Sequence, residues 1–166
     1  MRRIARIFRH LFWPAWRVRR HFDAAALTAI RNAIADGETR HDGELRFAAE
    51  GGLPWSYLAR NAAPRERALM AFAKLGVWDT AANTGVLIYV GLADRDVEIV
   101  ADRGVAHAVG AARWQAICTA MEQRFAAGDW HGGALEGIAA IHDALAKVAP
   151  PRAGKGNEVP DRPVLL

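Results

Sequence analysis

Five consecutive apolar residues, Val86-Leu87-Ile88-Tyr89-Val90, follow Gly85 without a charged interruption, and this run constrains the fold more than any other feature. A strand with one wet face alternates apolar and polar side chains. A continuous apolar run of strand length suits a strand buried on both faces, which requires helices on each side of its sheet. The expected class is therefore α/β, a mixed β-sheet sandwiched by helices. Ala93-Asp94-Arg95-Asp96 reads as a turn, and Val97 to Val100 returns as a hairpin partner. Glu44 to Ala49 reads as a shorter strand upstream.

Helical periodicity fills the intervals. Ala24 to Ala35 carries Leu27, Ile30 and Ile34 on one stripe, with Asp23 as N-cap, Phe22 as a staple and Gly37 as the expected stop. Pro64 suits the first turn of a helix running to Leu75, and Gly76 suits its C-terminal cap. Ala111 to Ala127 aligns Trp114, Ile117, Cys118, Met121 and Phe125, and Gly128 closes it. Gly133 to Val148 aligns Leu135, Ile138, Ile141 and Leu145 before Pro150-Pro151. The expected order is αβαββαα over residues 22–149, preceded by an arm (1–21) and followed by an irregular tail (150–166).

Charge divides the chain in the same way. Residues 1–21 hold seven arginines and no acid, leaving 15 basic against 18 acidic residues in the remainder. The high isoelectric point thus belongs to the arm, and the body lacks the basic face of a nucleic-acid binder. Within the arm, Ile4, Ile7, Phe8, Leu11 and Phe12 recur at helical spacing opposite Arg2, Arg3, Arg6 and Arg9. Pro14 should stop this amphipathic helix, Trp13 and Trp16 flank the stop, and Arg17, Arg19 and Arg20 follow. Two arrangements suit that pattern: peripheral attachment to an anionic membrane surface, or a helix folded back on its own domain. Arginines interrupt every stretch that could serve as the apolar segment of a secretory signal. The single cysteine suits a reducing compartment, so the expected location is the cytoplasm, at the inner face of a membrane where the arm binds one.

Most common catalytic signatures are missing from the sequence. It has no phosphate-cradling loop, dinucleotide fingerprint, H-E-x-x-H or C-x-x-C motif. Its one serine, Ser56, lacks the flanking glycines of a nucleophile elbow. Cys118 lies on the apolar stripe of its helix, where burial keeps a thiol inert. Asp94 and Asp96 resemble the paired aspartates of haloacid-dehalogenase phosphatases, but Glu98 stands where that family has Thr or Val, and a hairpin turn accounts for both. No spacing joins the six histidines, and solvated or capping roles are expected for all of them, with His142 on an exposed helical position.

An ordered set of motifs remains: Val77-Trp78-Asp79-Thr80, Asn83-x-Gly85-Val86-Leu87-Ile88-Tyr89, and Asp94-Arg95-x-Val97-Glu98-Ile99. With Gly43-Glu44, Gly104, Trp114, Phe125-x-x-Gly128 and Gly133-x-x-x-Gly137-Ile138, it resembles the TPM domain family, which includes thylakoid-lumen photosystem-repair proteins and many bacterial proteins. The resemblance covers roughly Phe22 to Val148, and the tail from Asn157 to Pro163 resembles a cytoplasmic bacterial branch. It implies a mixed sheet flanked by helices, loops that bind calcium or another divalent cation in some relatives, and a weak acid-phosphatase activity in part of the family. Asp79, Asn83 and Asp102 fall where such loops could converge and carry the hard oxygens calcium prefers. Many relatives have acids after the glycine that follows the third strand, but Gly104 here precedes Val105, Ala106 and His107. Asp79 and Asn83 also suit simple turn roles.

Two classes of function follow. One is a non-catalytic scaffold or assembly domain anchored at the membrane by its arm, with an unidentified protein partner and with Val164-Leu165-Leu166 either docked on the body or offered to that partner. The other is a divalent-metal-assisted, phosphatase-like hydrolase.

Overall fold

The computed structural model describes residues 2–166, and the side chains of all of these except Arg2, Arg3 and Ala15. The arm forms two helices, α1 (Arg2–Leu11) and α2 (Ala15–His21), broken at Pro14 as its fixed geometry demands. Helix α3 (Ala24–Glu38) begins at Asp23, whose carboxylate accepts from Ala26 N. Strand β1 (Glu44–Glu50) leads through the short α4 (Trp55–Ala59) and α5 (Pro64–Lys74) to β2 (Gly85–Gly91), which runs parallel to β1. The hairpin at residues 92–95 turns β2 back as β3 (Asp96–Ala101), antiparallel to it, with Arg95 at a left-handed φ of 55°. Then come α6 (Arg103–Val109), α7 (Ala111–Ala126), α8 (Trp130–Val148) and, from the chain's end, β4 (Val164–Leu165). The sheet order is β3-β2-β1-β4.

Strand β2 is buried on both faces, as its composition requires. Val86, Ile88 and Val90 join Phe47 and Ala49 in the larger core under α3, α7 and α8. Leu87 and Tyr89 point the other way, with Ala48 and Val100, onto Ala68 and Ala71 of α5. Phe22 is fully buried and meets the rings of Phe47 and Trp130 edge-on at 5.4 and 6.2 Å. Trp114, Ile117, Cys118, Met121 and Phe125 are all buried, so α7 packs on the stripe that periodicity marks.

The expected order lacks the two short helices α4 and α6, and three further expectations about helix ends and the tail fail. Gly37 does not stop α3, because its missing side chain is what lets the His142 ring of α8 approach; a Cβ there would stand 2.1 Å from that ring. Helix α8 begins three residues before Gly133, because the Asp129 carboxylate caps it by accepting from Gly132 N. The tail is not irregular throughout. Val164 and Leu165 pair in parallel with Ala48 and Ala49, Leu166 N donates to the Ala49 carbonyl, and Val159 is buried. Ion pairs fasten this segment: Arg152 to Asp42 at 2.7 Å and Lys155 to Glu44 at 2.8 Å. Both acids are nearly buried, so the tail's cations neutralise charge that the body would otherwise leave uncompensated.

Candidate functional site

The parallel strands β1 and β2 end beside the β2–β3 turn, and α1 docks there through its polar side. Arg6 Nε donates to Asp94 Oδ2 at 3.0 Å, Arg9 Nη2 donates to Oδ1 at 2.7 Å, and His10 Nε2 lies 3.0 Å from Oδ2. Arg6 also donates to the Ala62 carbonyl, and the His10 ring accepts from Leu53 N through Nδ1. Burial opposes ionisation of Asp94, but the hydrogen bonds and charges of His10 and Arg6 outweigh it and hold its carboxyl down at about 2. Asp96, two residues on, is pushed up to about 6 by burial and by the neighbouring acids Glu98 and Glu122.

This docking leaves the apolar side of the arm facing outward. Ile4 is 61% exposed, Phe8 and Leu11 56%, Phe12 75% and Trp16 56%. The Phe8 and Phe12 rings stack 6.0 Å apart, and the Arg17 guanidinium lies over the rings of Trp13 and Trp16. Of the arm residues assigned to a membrane face from sequence, Ile4, Phe8, Leu11, Phe12, Trp16, Arg17, Arg19 and Arg20 are exposed. Arg6, Ile7 and Trp13 are half-buried, and Arg9, though exposed, is bound to Asp94. The side chains of Arg2 and Arg3 lie outside the described residues.

At the opposite end of β2, the loops carrying Asn83 and Asp102 lie side by side. Gly104 N donates to the Asn83 carbonyl at 3.0 Å, and Asp102 N donates to the Gly85 carbonyl at 2.8 Å. Asp102 caps α6, its Oδ1 accepting from Arg103 N, while its Oδ2 is buried without a hydrogen-bond partner. Asp79 is exposed in the preceding turn, and its N–H donates to the Gly76 carbonyl. Glu158 of the tail also reaches this loop, its Oε2 accepting from Ala81 N at 2.6 Å. Among the described residues, no three His, Cys, Asp or Glu side chains converge as metal ligands. Calcium takes six to eight oxygens, and two carboxylates and an amide supply a minority of them.

Sequence reasoning missed two buried polar clusters. His41 and His142, 101 positions apart, are both buried and not solvated, with Nε2 of the first 2.7 Å from Nδ1 of the second. His41 Nδ1 accepts from Gly43 N, so Nε2 carries the proton and donates to His142. Burial lowers both rings to about 4, with the nearby cations Lys155 and Arg40 adding to it. His142 stands four residues after Ile138, on the apolar side of α8; that spacing was the available signal, and the polarity of the side chain masked it. On the other face of the sheet, Arg67 grips Glu50 with two hydrogen bonds of 2.7 and 2.8 Å, and the buried Tyr89 hydroxyl donates to the same carboxylate. Cys118 is buried, and burial pushes its thiol up to about 12.

A mixed four-stranded sheet of this order with helices on both faces makes the protein an α/β sandwich. Residues 19–144 match the model of the TPM domain, and the chain belongs to that family. The match begins within α2, so α1 lies outside it. The chain is also similar to the BA42 protein of the psychrophilic bacterium Bizionia argentinensis, known from an NMR structure. The two are 29% identical, with a TM-score of 0.75 over 86% of this chain and 94% of that one. No curated protein matches the chain.

Proposed function

We propose that this TPM domain is a non-catalytic scaffold for assembly or maintenance, attached peripherally to the cytoplasmic face of a membrane through α1 and α2. The observation that carries this reading is the orientation of the arm. Arg6, Arg9 and His10 face Asp94, while Arg17, Arg19 and Arg20 and five large apolar side chains, Ile4, Phe8, Leu11, Phe12 and Trp16, are left exposed in one short segment. Burying a large apolar side chain contributes about 1.5–3 kcal/mol, and each arginine near an anionic leaflet adds about 1 kcal/mol, so the arm can hold the domain reversibly. The buried environment of Cys118 argues against a thiolate nucleophile.

Vesicle flotation tests the reading. The full chain should float with phosphatidylglycerol-containing vesicles, and the triple variant Phe8→Ser/Leu11→Ser/Phe12→Ser should stay at the bottom while unfolding at the same temperature. Equal flotation of the two proteins defeats it. A second reading, divalent-cation-assisted hydrolysis of a phosphate ester, draws support from the orphaned Asp102 Oδ2. On that reading calcium, magnesium or manganese raises the melting temperature and a generic phosphomonoester is cleaved, both effects disappearing in Asp79→Ala and Asp102→Asn.

A further inference from the structure

Three arginines from separate parts of the chain line one groove of about 810 Å³: Arg19 of α2, Arg31 of α3 and Arg162 just before β4. Its apolar wall is Phe22, Leu27 and Leu165. Eight arginines elsewhere, Arg6, Arg9, Arg40, Arg60, Arg65, Arg67, Arg124 and Arg152, each meet a carboxylate; among the described residues Arg19, Arg31 and Arg162 do not, and neither do Arg17, Arg20, Arg46, Arg95, Arg103 and Arg113, but only these three share a groove, where Arg31 finds only the amide of Asn32, at 3.4 Å. The one acid in the groove, Asp23, is occupied in capping α3. The body as a whole is mildly acidic, so this local excess of positive charge in one concavity is a place where an anion would be attracted.

We infer that this groove binds the headgroup of a single anionic phospholipid, with the guanidinium groups on its phosphate and the start of an acyl chain against Leu27 and Leu165. Guanidinium presents a planar fork of donors that matches phosphate oxygens. The volume lies within the range of sites that enclose small organic ligands, and a bare phosphate would leave the apolar wall without a partner. Arg19 and Leu165 also line a second groove that continues past Val18 to Trp13, so the lipid would sit at the foot of the arm. The site is separate from the exposed ridge of α1 and does not depend on that ridge entering a bilayer.

Amide NMR of the full chain, titrated with dihexanoyl-phosphatidylglycerol below its micelle concentration, tests the inference. Saturable shifts are expected at Leu27, Thr28 and Leu165, with dihexanoyl-phosphatidylcholine and inorganic phosphate each binding at least about tenfold more weakly. The variant Arg19→Gln/Arg31→Gln/Arg162→Gln should lose the shifts and keep its melting temperature, since all three side chains are exposed. Shifts that map elsewhere, phosphate or a short acidic peptide binding as tightly as the lipid, or a triple variant that binds normally would each overturn it. Flotation of the ridge variant reads the arm and this titration reads the groove, so either claim can fail without the other.

Discussion

Helices α1 and α8 are both two-faced, and they bury opposite faces. Helix α8 turns Ile138, Ile141 and Leu145 into the core, and takes His142 in with them because a buried partner, His41, waits there. Helix α1 turns Arg6 and His10 inward and leaves Ile4, Phe8 and Leu11 in water. The pattern of a helix specifies that it has two sides; what it packs against selects which side is covered. Asp94 makes the charged side of α1 the adhesive one, because a half-buried carboxylate needs cations more than the finished core needs further apolar area.

The largest effect should come from the α3–α8 contact. Gly37→Ala drives a methyl into the His142 ring and should cost about 1–3 kcal/mol in urea unfolding, as overpacking does, while leaving vesicle binding by the folded protein unchanged. Asp94→Asn should reverse that division. It should release α1 and remove about 1–3 kcal/mol of hydrogen-exchange protection from residues 4–11, with the core amides of β2 unaffected. Protection of α1 that survives the substitution would refute the latch.

Acid titration separates the two regions further. The latch acid has its folded value depressed from 3.8 to about 2, so its contribution is complete above 3.8 and is lost as pH falls through 2. The histidine pair has its folded values depressed from 6.5 to about 4, so unfolding takes up protons in that interval and the pair's contribution falls as pH drops from 6.5 toward 4. Glu38 acts in the opposite sense: burial pushes its carboxyl from 4.5 up to about 8, and its contribution is lost as pH rises across that interval. Glu38→Gln should therefore steepen the rise in stability between pH 4.5 and 6.5 and abolish the decline toward pH 8, as read from urea midpoints. NMR should show both histidine rings neutral until pH nears 4. The smallest effect is expected at an exposed pair: Arg40→Ala, which removes the contact to Asp143, should change stability by about 0.5 kcal/mol or less.

Much of the fold was legible because it rests on local rules. The continuous apolar run forecast a strand covered on both faces, the stripe on α7 matched its buried set, and Asp23 and Pro64 marked helix starts that the structure keeps. Of the candidate loops, the structure shows that the two carrying Asn83 and Asp102 are neighbours, joined by the bond from Gly104 N to the Asn83 carbonyl. Glu158 was not legible, because 77 residues separate it from Ala81 and no periodicity links a tail to a loop. The buried histidines and the Arg67–Glu50–Tyr89 cluster were hidden for a similar reason: polar residues predict exposure on average, and only a partner from another element reverses it.

The sequence by itself determined the α/β class, the helix stripes, the segregation of arginine and apolar side chains into the first twenty-one positions and the resemblance to the TPM family. Only the tertiary structure decided that the apolar side of the arm faces outward, that the tail adds β4 to the edge of the sheet, and that three distant arginines share a groove. Secondary structure and apolar burial follow from neighbours a few residues apart, which a sequence displays directly. Charge compensation is settled by whichever groups the finished fold brings within reach, and that reach spans the whole chain.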